Sequence, residues 1–597
     1  MTDVADGRHI LQSIAAPCRG NRLMRALTPL RLRAWLAGRL DVPDGIQMPA
    51  EEWQRRHAAL RAACATPVED KALLSFITPV WNTPVHFLRE LAESVARQAE
   101  RQPLEWVVLD NGSDCVELIE FLDRDLSRRD HVSFFRSPSN LGIVGGTRLC
   151  LEYAANRYIL PLDHDDRLYT DAAMVMAQAI VTHRYPALLY SDEDKLVQGC
   201  PALPFFKPDW DPVLFVDQCY IAHLCAIDRL RALDLGAYTD ATCEGSPDWD
   251  CFMRFALAGH IPVHVPEVVY SWRMHEQSTA LNMDAKSYIH SSQTAVLSRF
   301  HDALAQPDHF ALDPSPLFEG TPDWWLRRRH VDPAPLALVS FTQASAPSKH
   351  FVKAGDYPVV VRAALPPDSS PGQVRDALPE RLGDDSLVCL IDEALDVLDS
   401  EWPWEALGIM QSHPDTAVVG GRCLDSNSLV VEAGQYFGFG SGSDCPDAGR
   451  SLNDPGYSLW LWKRHSVSAV SSCFAVFRAG FLRQLLSHGL QPEATLGFLG
   501  AWAGALAART GFRVVYSPFL VGQFSRTQRL STGPGERAAF LAANRDLIPD
   551  TRFYPASFGL DLATSFRPVP VVKRDAHLRG LLGSVSVSSR TQRKPPT

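Results

Sequence analysis

Over residues 70–170 short apolar runs alternate with amphipathic stretches, which predicts βαβ units around a parallel sheet. Leu73-Leu74-Ser75-Phe76-Ile77 reads as a strand ending in the turn Pro79-Val80-Trp81-Asn82. Pro84 suits a first helical turn, and Phe87, Leu88, Leu91 and Val95 then recur at helical spacing. The strand Trp106-Val107-Val108-Leu109 runs into Asp110-Asn111-Gly112-Ser113-Asp114, and a helix is expected around residues 115–126. Val132-Ser133-Phe134-Phe135 is a third strand, before the loop Asn140-Leu141-Gly142-Ile143-Val144-Gly145-Gly146. Another helix leads to Tyr158-Ile159-Leu160-Pro161-Leu162, followed at once by Asp163-His164-Asp165-Asp166. Ligands of open α/β sheets bind beyond the carboxyl ends of the strands, so these polar loops are expected on one rim.

Three carboxylates within four positions repel one another unless solvent, hydrogen-bond donors or a hard divalent cation neutralises them. Oxygen ligands suit Mg²⁺ or Mn²⁺, and Mg²⁺ typically takes one or two protein carboxylates plus substrate phosphates. That combination points to a nucleotide diphosphate. A solvated acidic turn capping a helix near Asp171 is the alternative. Further on, Leu188-Leu189-Tyr190 leads into Ser191-Asp192-Glu193-Asp194-Lys195, then Phe205-Phe206-Lys207-Pro208-Asp209-Trp210. Asp248-Trp249-Asp250 opens a helix, where the dipole and free amides favour acids in any case.

At 597 residues the chain is too long for one ordinary core. The expected division is a partly basic helical extension over 1–68, a catalytic domain over 69–305, a Pro-rich linker over 306–335, a second globular domain over 336–545 and a partly disordered tail over 546–597. No uninterrupted apolar run approaches the ~18 residues that span a bilayer. The start, MTDVADGRHILQS, lacks the pattern of a secretory signal, so a cytoplasmic location is expected. The 13 cysteines include no CxxC pair and read as small apolar residues of a reduced compartment. A net charge of −11 gives no reason to expect nucleic acid as a partner. Arg19, Arg22, Arg25, Arg31, Arg33 and Arg39, interleaved with leucines and Trp35, suit peripheral contact with an anionic inner-membrane surface or packing on the main body.

The second half repeats the first loosely. His223–Arg229 corresponds to Cys473–Ala479, and Gly259–Pro266 to Gly511–Pro518, with spacings that differ by about two residues. Counting back from Gly511, the places of Asp248 and Asp250 fall on Gly500 and Trp502, and Ile391-Asp392-Glu393-Ala394-Leu395 replaces the acidic loop. One half keeps the chemistry.

The ordered set TPVWN, VVLDNGSD, NLGIVGG, PLDHDD, YSDEDK, FFKPDW, DWD and WRMHEQSTA resembles the family 2 glycosyltransferases, particularly bacterial enzymes of O-antigen or other surface-polysaccharide assembly. The resemblance implies an α/β, GT-A nucleotide-diphospho-sugar transferase fold, a Rossmann-like mixed sheet flanked by helices, followed by a divergent GT-A-like second domain. It implies a metal-dependent inverting hexosyltransferase that moves a sugar from a nucleotide-diphosphate sugar to a glycan or lipid-linked hydroxyl. A non-catalytic nucleotide-sugar or glycan-binding scaffold, or a nucleotidyltransferase, are the rivals. By the same resemblance Thr78, Pro79, Asn82, Asp110, Asn111, Asn140 and Asp163 hold the nucleotide, with Asn111 where many relatives have a second aspartate. Asp165, Asp163 and His275 hold Mn²⁺ or Mg²⁺, with Asp166 in support. Asp248 is the catalytic base, although Pro247 replaces the usual Glu or Gln before it. Asp192, Glu193, Asp194, Trp249 and Asp250 are candidates for contact with donor or acceptor sugars.

Overall fold

The structure, a computed structural model, describes residues 50–274, 288–318, 323–342, 353–488, 490, 494–525, 530, 534–550 and 552–591. They form two compact units, the first built from residues up to Trp210 and from Cys219–Ala303, the second from Asp211–Gln218, Leu304–Glu319 and Asp323 onward.

The first unit opens with helix α1 (Ala50–Cys64), whose Arg61 pairs with buried Asp171 at 2.7 Å and donates to Val268 O at 2.9 Å. The acid near the helix start therefore serves a buried ion pair. The sheet comprises β1 (Leu74–Val80), β2 (Glu105–Asn111), β3 (Val132–Ser137), β4 (Tyr158–Pro161), β5 (Arg167–Leu168), β6 (Leu188–Val197), β7 (Cys200–Phe205), β8 (Cys225–Asp228) and β9 (Val263–Met274). Their order is β3-β2-β1-β4-β8-β6-β9-β5, with β7 beside β6. Strands β1 to β4 run parallel to one another, as the βαβ pattern predicts. Strand β8 is antiparallel to both β4 and β6, so its amino end lies on the same rim as their carboxyl ends.

Among the helices, α2 (Val85–Ala99) buries Leu88, Leu91 and Val95, and α3 (Val116–Arg124) buries Leu118, Phe121 and Leu122. These side chains join Phe76, Trp106 and Tyr158 in one core, which fixes the strands and hence the rim. Helices α4 (Gly142–Tyr153) and α5 (Ala172–Thr182) continue the alternation. After α6 (Pro212–Asp217), which belongs to the second unit, come α7 (Arg229–Asp234), α8 (Pro247–Leu257) and α9 (Tyr288–Asp302).

The second unit has its own nine-stranded sheet, and its order reproduces that of the first. Residues 336–341, 387–392, 474–478, 416–424, 513–524 and 395–397 occupy the places of β1, β4, β8, β6, β9 and β5. Residues 359–365 stand for β2, and 430–433 for β7. The parallel and antiparallel senses also agree: 387–392 is antiparallel to 474–478, and 416–424 is parallel to 513–524. A counterpart of β3 is missing from the described residues. The repeat read from sequence is thus a repeat of topology.

Three expected boundaries differ from the structure. Residues 211–218 lie within the second unit, because Asp217 takes Arg464 Nη2 at 2.6 Å and Asp211 takes Ser466 N at 2.6 Å. Two buried carboxylates need those donors. The Pro-rich linker contains an antiparallel hairpin, Phe310–Pro314 with Trp324–Arg328, anchored by Arg464 Nη1 on Leu326 O at 3.1 Å. The tail is ordered where aromatic packing is available: Tyr554, Phe558 and Phe566 cluster with Tyr457, and a helix spans Val571–Thr591. The basic segment around Arg19–Arg39 lies outside the described residues. Among the described residues no helix is long and apolar enough to cross a membrane.

Candidate functional site

The rim is built by side chains that tie one loop to the next. Asn82 adopts a left-handed φ of 48°, which asparagine tolerates, and its side chain donates to Asp114 Oδ1 at 2.8 Å while accepting from Asp114 N at 3.1 Å. Gly112 follows with φ 76°, and a Cβ there would meet Ser139 C at 2.4 Å, so the β2 turn requires glycine. Asn111 accepts from Leu141 N at 3.0 Å and donates to Gly142 O at 2.9 Å, fixing the start of α4. Asn140, exposed, accepts from Gly142 N at 2.8 Å. Asp110 is buried against Arg136 Nε at 2.7 Å and Ser113 N at 3.0 Å. Asp110 and Asn111 therefore shape the loops after β2 and β3 from within. Thr78 is buried with its hydroxyl accepting from Trp106 Nε1 at 2.9 Å, which takes it out of reach of a ligand. Pro79 is partly covered, whereas Trp81, which the motif contains but the candidate set omits, is 52% exposed.

The acidic loop divides its labour. Asp166 is fully buried, accepting from Arg273 N at 2.6 Å and from the Tyr270 hydroxyl. Burial, then Asp165 and Asp163, push its carboxyl well above the usual range. Asp166 holds the loop to β9. Asp163 reaches solvent, and Asp165 is partly exposed. The Asp163 carboxyl is raised by the protein packed around it, then by Asp165 and Asp248, while His223 opposes. Two accessible carboxylates that repel each other fit one hard cation whose remaining positions would be filled by substrate phosphates and water. Among the described residues no group of three or more His, Cys, Asp and Glu side chains is placed to hold a metal ion. His275 lies outside the described residues.

Asp248 sits in the first turn of α8, partly exposed, with Oδ1 accepting from the Tyr238 hydroxyl at 2.9 Å. Its other oxygen lies 3.9 Å from His223 Nε2. One carboxylate oxygen is oriented by Tyr238 and the other lies toward His223. Sequence reasoning missed His223 and Tyr238 as functional residues. The available signal was the repeat, which sets His223 against Cys473.

The candidates for sugar contact lie within the body of the unit. Asp250 is buried and paired with Arg254 Nε at 2.7 Å and with Arg299. Trp249 is 6% exposed and packs inside the unit. Asp192, Glu193 and Asp194 all lie buried on β6. Asp192 takes Lys207 N at 2.9 Å and His264 Nε2 at 2.8 Å. Burial raises Glu193, yet Lys207, Lys195 and His223 hold it well below the usual carboxylate range. Asp194, bonded by the Tyr169 hydroxyl, is pushed up to about 7 by burial, with Ser271 and Tyr169 pulling the other way. Because an unfolded aspartate titrates near ~4, the folded unit binds the extra proton between about pH 4 and 7. The resulting stability is complete below that window and lost as pH rises through it. Asp194→Asn should flatten the fall of Tm between about pH 5 and 8 in thermal melts. Parallel wild-type and variant slopes would count against this.

Residues 75–191 match the family model described as Glycosyl transferase family 2. An uncharacterised protein of Sinorhizobium fredii, y4gI, is 24% identical over 529 residues, covering 82% of this chain and 57% of its own length. The O-antigen biosynthesis protein RfbC of Myxococcus xanthus is 28% identical over 204 residues, covering 34% of this chain and 16% of its own. The chain thus spans little more than half of the first relative and a small part of the second. Among solved structures, S. aureus TarS in complex with UDP-GlcNAc is 16% identical with a TM-score of 0.33, covering 40% of this chain and 69% of that one. GalNAc-T7 with UDP, GalNAc and Mn²⁺ is 15% identical with a TM-score of 0.29, covering 34% and 44%.

Proposed function

We propose that the first unit, whose residues 75–191 match the family model described as Glycosyl transferase family 2, transfers a sugar from a nucleotide-diphosphate donor to an acceptor hydroxyl, with inversion. The observation that carries this is that Asp163, Asp165 and Asp248 keep accessible carboxylates, with Asp165 and Asp248 both acting on Asp163 and Tyr238 orienting Asp248 at 2.9 Å. Asp248 takes the acceptor proton as its oxygen attacks the anomeric carbon. A single base on the face opposite the leaving group gives inversion. Asp163 and Asp165 would hold Mn²⁺ or Mg²⁺, which when bound stabilises charge on the departing diphosphate. Trp81 offers a flat aromatic face beside the β2 loop for the nucleobase. The acceptor is a glycan or lipid-linked glycan of surface-polysaccharide assembly, a role in keeping with the O-antigen protein among the relatives.

The second unit is non-catalytic. A Cβ at Gly500, the place of Asp248, would meet Val470 O at 1.8 Å, and Gly500 N donates to Ser472 Oγ at 2.9 Å. Backbone fills the space where a carboxylate would stand. A panel of nucleotide sugars, read by thermal shift with and without Mn²⁺, should give one donor class whose stabilisation needs the metal. Stabilisation indifferent to Mn²⁺ for every donor would reject the metal-held diphosphate.

A further inference from the structure

His223 enters two residues before β8, on the rim where β4 and β6 end. Two of the sequence motifs prove to be its mount. Glu193 of YSDEDK accepts from His223 N, and Lys207 of FFKPDW, completely buried, donates to His223 O at 2.8 Å and to Ile221 O at 3.4 Å. Lys207 also pairs with Glu193 at 3.3 Å, so burying two opposite charges secures one short segment of backbone. Leu224 N adds a bond to Ser191 Oγ at 3.0 Å.

The imidazole is held as firmly as its backbone. It stacks on Tyr270 at 5.0 Å between centroids and meets Trp272 edge-on at 5.8 Å. Nδ1 faces Glu193 Oε2 at 3.7 Å, and Nε2 faces Asp248 Oδ2 at 3.9 Å. Both gaps exceed a hydrogen bond but lie within the range where an opposite charge acts strongly. The second unit supplies an independent observation. Cys473 stands at the place of His223 and Gly500 at that of Asp248, so the histidine and the carboxylate it faces are absent together.

We propose that His223 is a positioning residue for transfer, fixing Asp248 from Oδ2 while Tyr238 fixes it from Oδ1, so that the carboxylate meets the acceptor hydroxyl in one orientation. This rests on Asp248 being the base of a transferase. The groups facing the ring are Glu193 from β6, Asp163 from the acidic loop, Asp248 from α8, and Tyr270 and Trp272 from β9.

The test is a double-mutant cycle on the full chain, with transfer measured for wild type, His223→Gln, Asp248→Asn and the pair. His223→Gln should lower kcat about 10- to 100-fold, the scale of a misplaced catalytic group, with the donor KM within about twofold of wild type. In the Asp248→Asn background the same change should cost almost nothing. An unchanged kcat, a loss expressed in donor KM, or an equal loss in both backgrounds overturns the proposal. Should His223→Gln unfold, the imidazole NMR resonance of His223 in otherwise unaltered protein must move on Asp248→Asn, and an unmoved resonance also overturns it. A wild type that binds donor but never transfers removes the transferase premise, an outcome distinct from these.

Discussion

Asp248→Asn lowers transfer by roughly 10² to 10⁴ while donor binding and fold persist, the range expected for loss of a general base. The amide cannot take the acceptor proton. Its oxygen can still accept from Tyr238, which donates to Asp248 Oδ1 at 2.9 Å, so the side chain keeps its place. The first turn of α8 loses a favourable carboxylate, worth about 0.3–1 kcal/mol, far too little to unfold the unit. Initial rates of nucleoside-diphosphate release at saturating acceptor provide the check. Full turnover in the variant would show that another group takes the proton.

Asp165→Ala lowers metal-dependent turnover by about 10²-fold or more, because metal assistance contributes several kcal/mol of charge stabilisation at the leaving group. The sign of its effect on stability separates a ligand from a structural acid. Asp165 adds to the repulsion that raises both Asp163 and Asp166, so its removal should leave the metal-free Tm unchanged or higher. Asp166→Ala, by contrast, strands the Tyr270 hydroxyl and Arg273 N in the interior and should lower Tm. Mn²⁺ titrations of rate, with melts on each variant, test both halves. A metal-free Asp165→Ala protein that is both less stable and still Mn²⁺-responsive would contradict the assignment.

The parallel strands were legible because short apolar runs ended in polar loops, and β1 to β4 fall where those runs lie. The acidic loop was legible as a whole but not in its parts, since nothing local distinguishes Asp166 from Asp165. That difference comes from Tyr270 and Arg273, more than a hundred residues away. The burial of Asp192, Glu193 and Asp194 was hidden for the same reason. Their neutralising partners, Lys207 and His264, sit on other elements. The Arg299 partner of Asp250, on α9, is invisible from the DWD motif. Proline-rich composition suggested a linker at 306–335, but hairpin pairing and Arg464 order it. The second domain was legible from spacing alone, and the sheet order explains why two weak matches sufficed.

Release of nucleoside diphosphate from the stabilising donor, followed with Mn²⁺ in wild type and with acceptor glycan added, decides whether the first unit is a transferase. Metal-dependent release that accelerates with acceptor and yields a product of inverted anomeric configuration is the expected result. Donor that stays intact on the protein, with neither transfer nor slow hydrolysis, would contradict it and leave a nucleotide-sugar-binding scaffold.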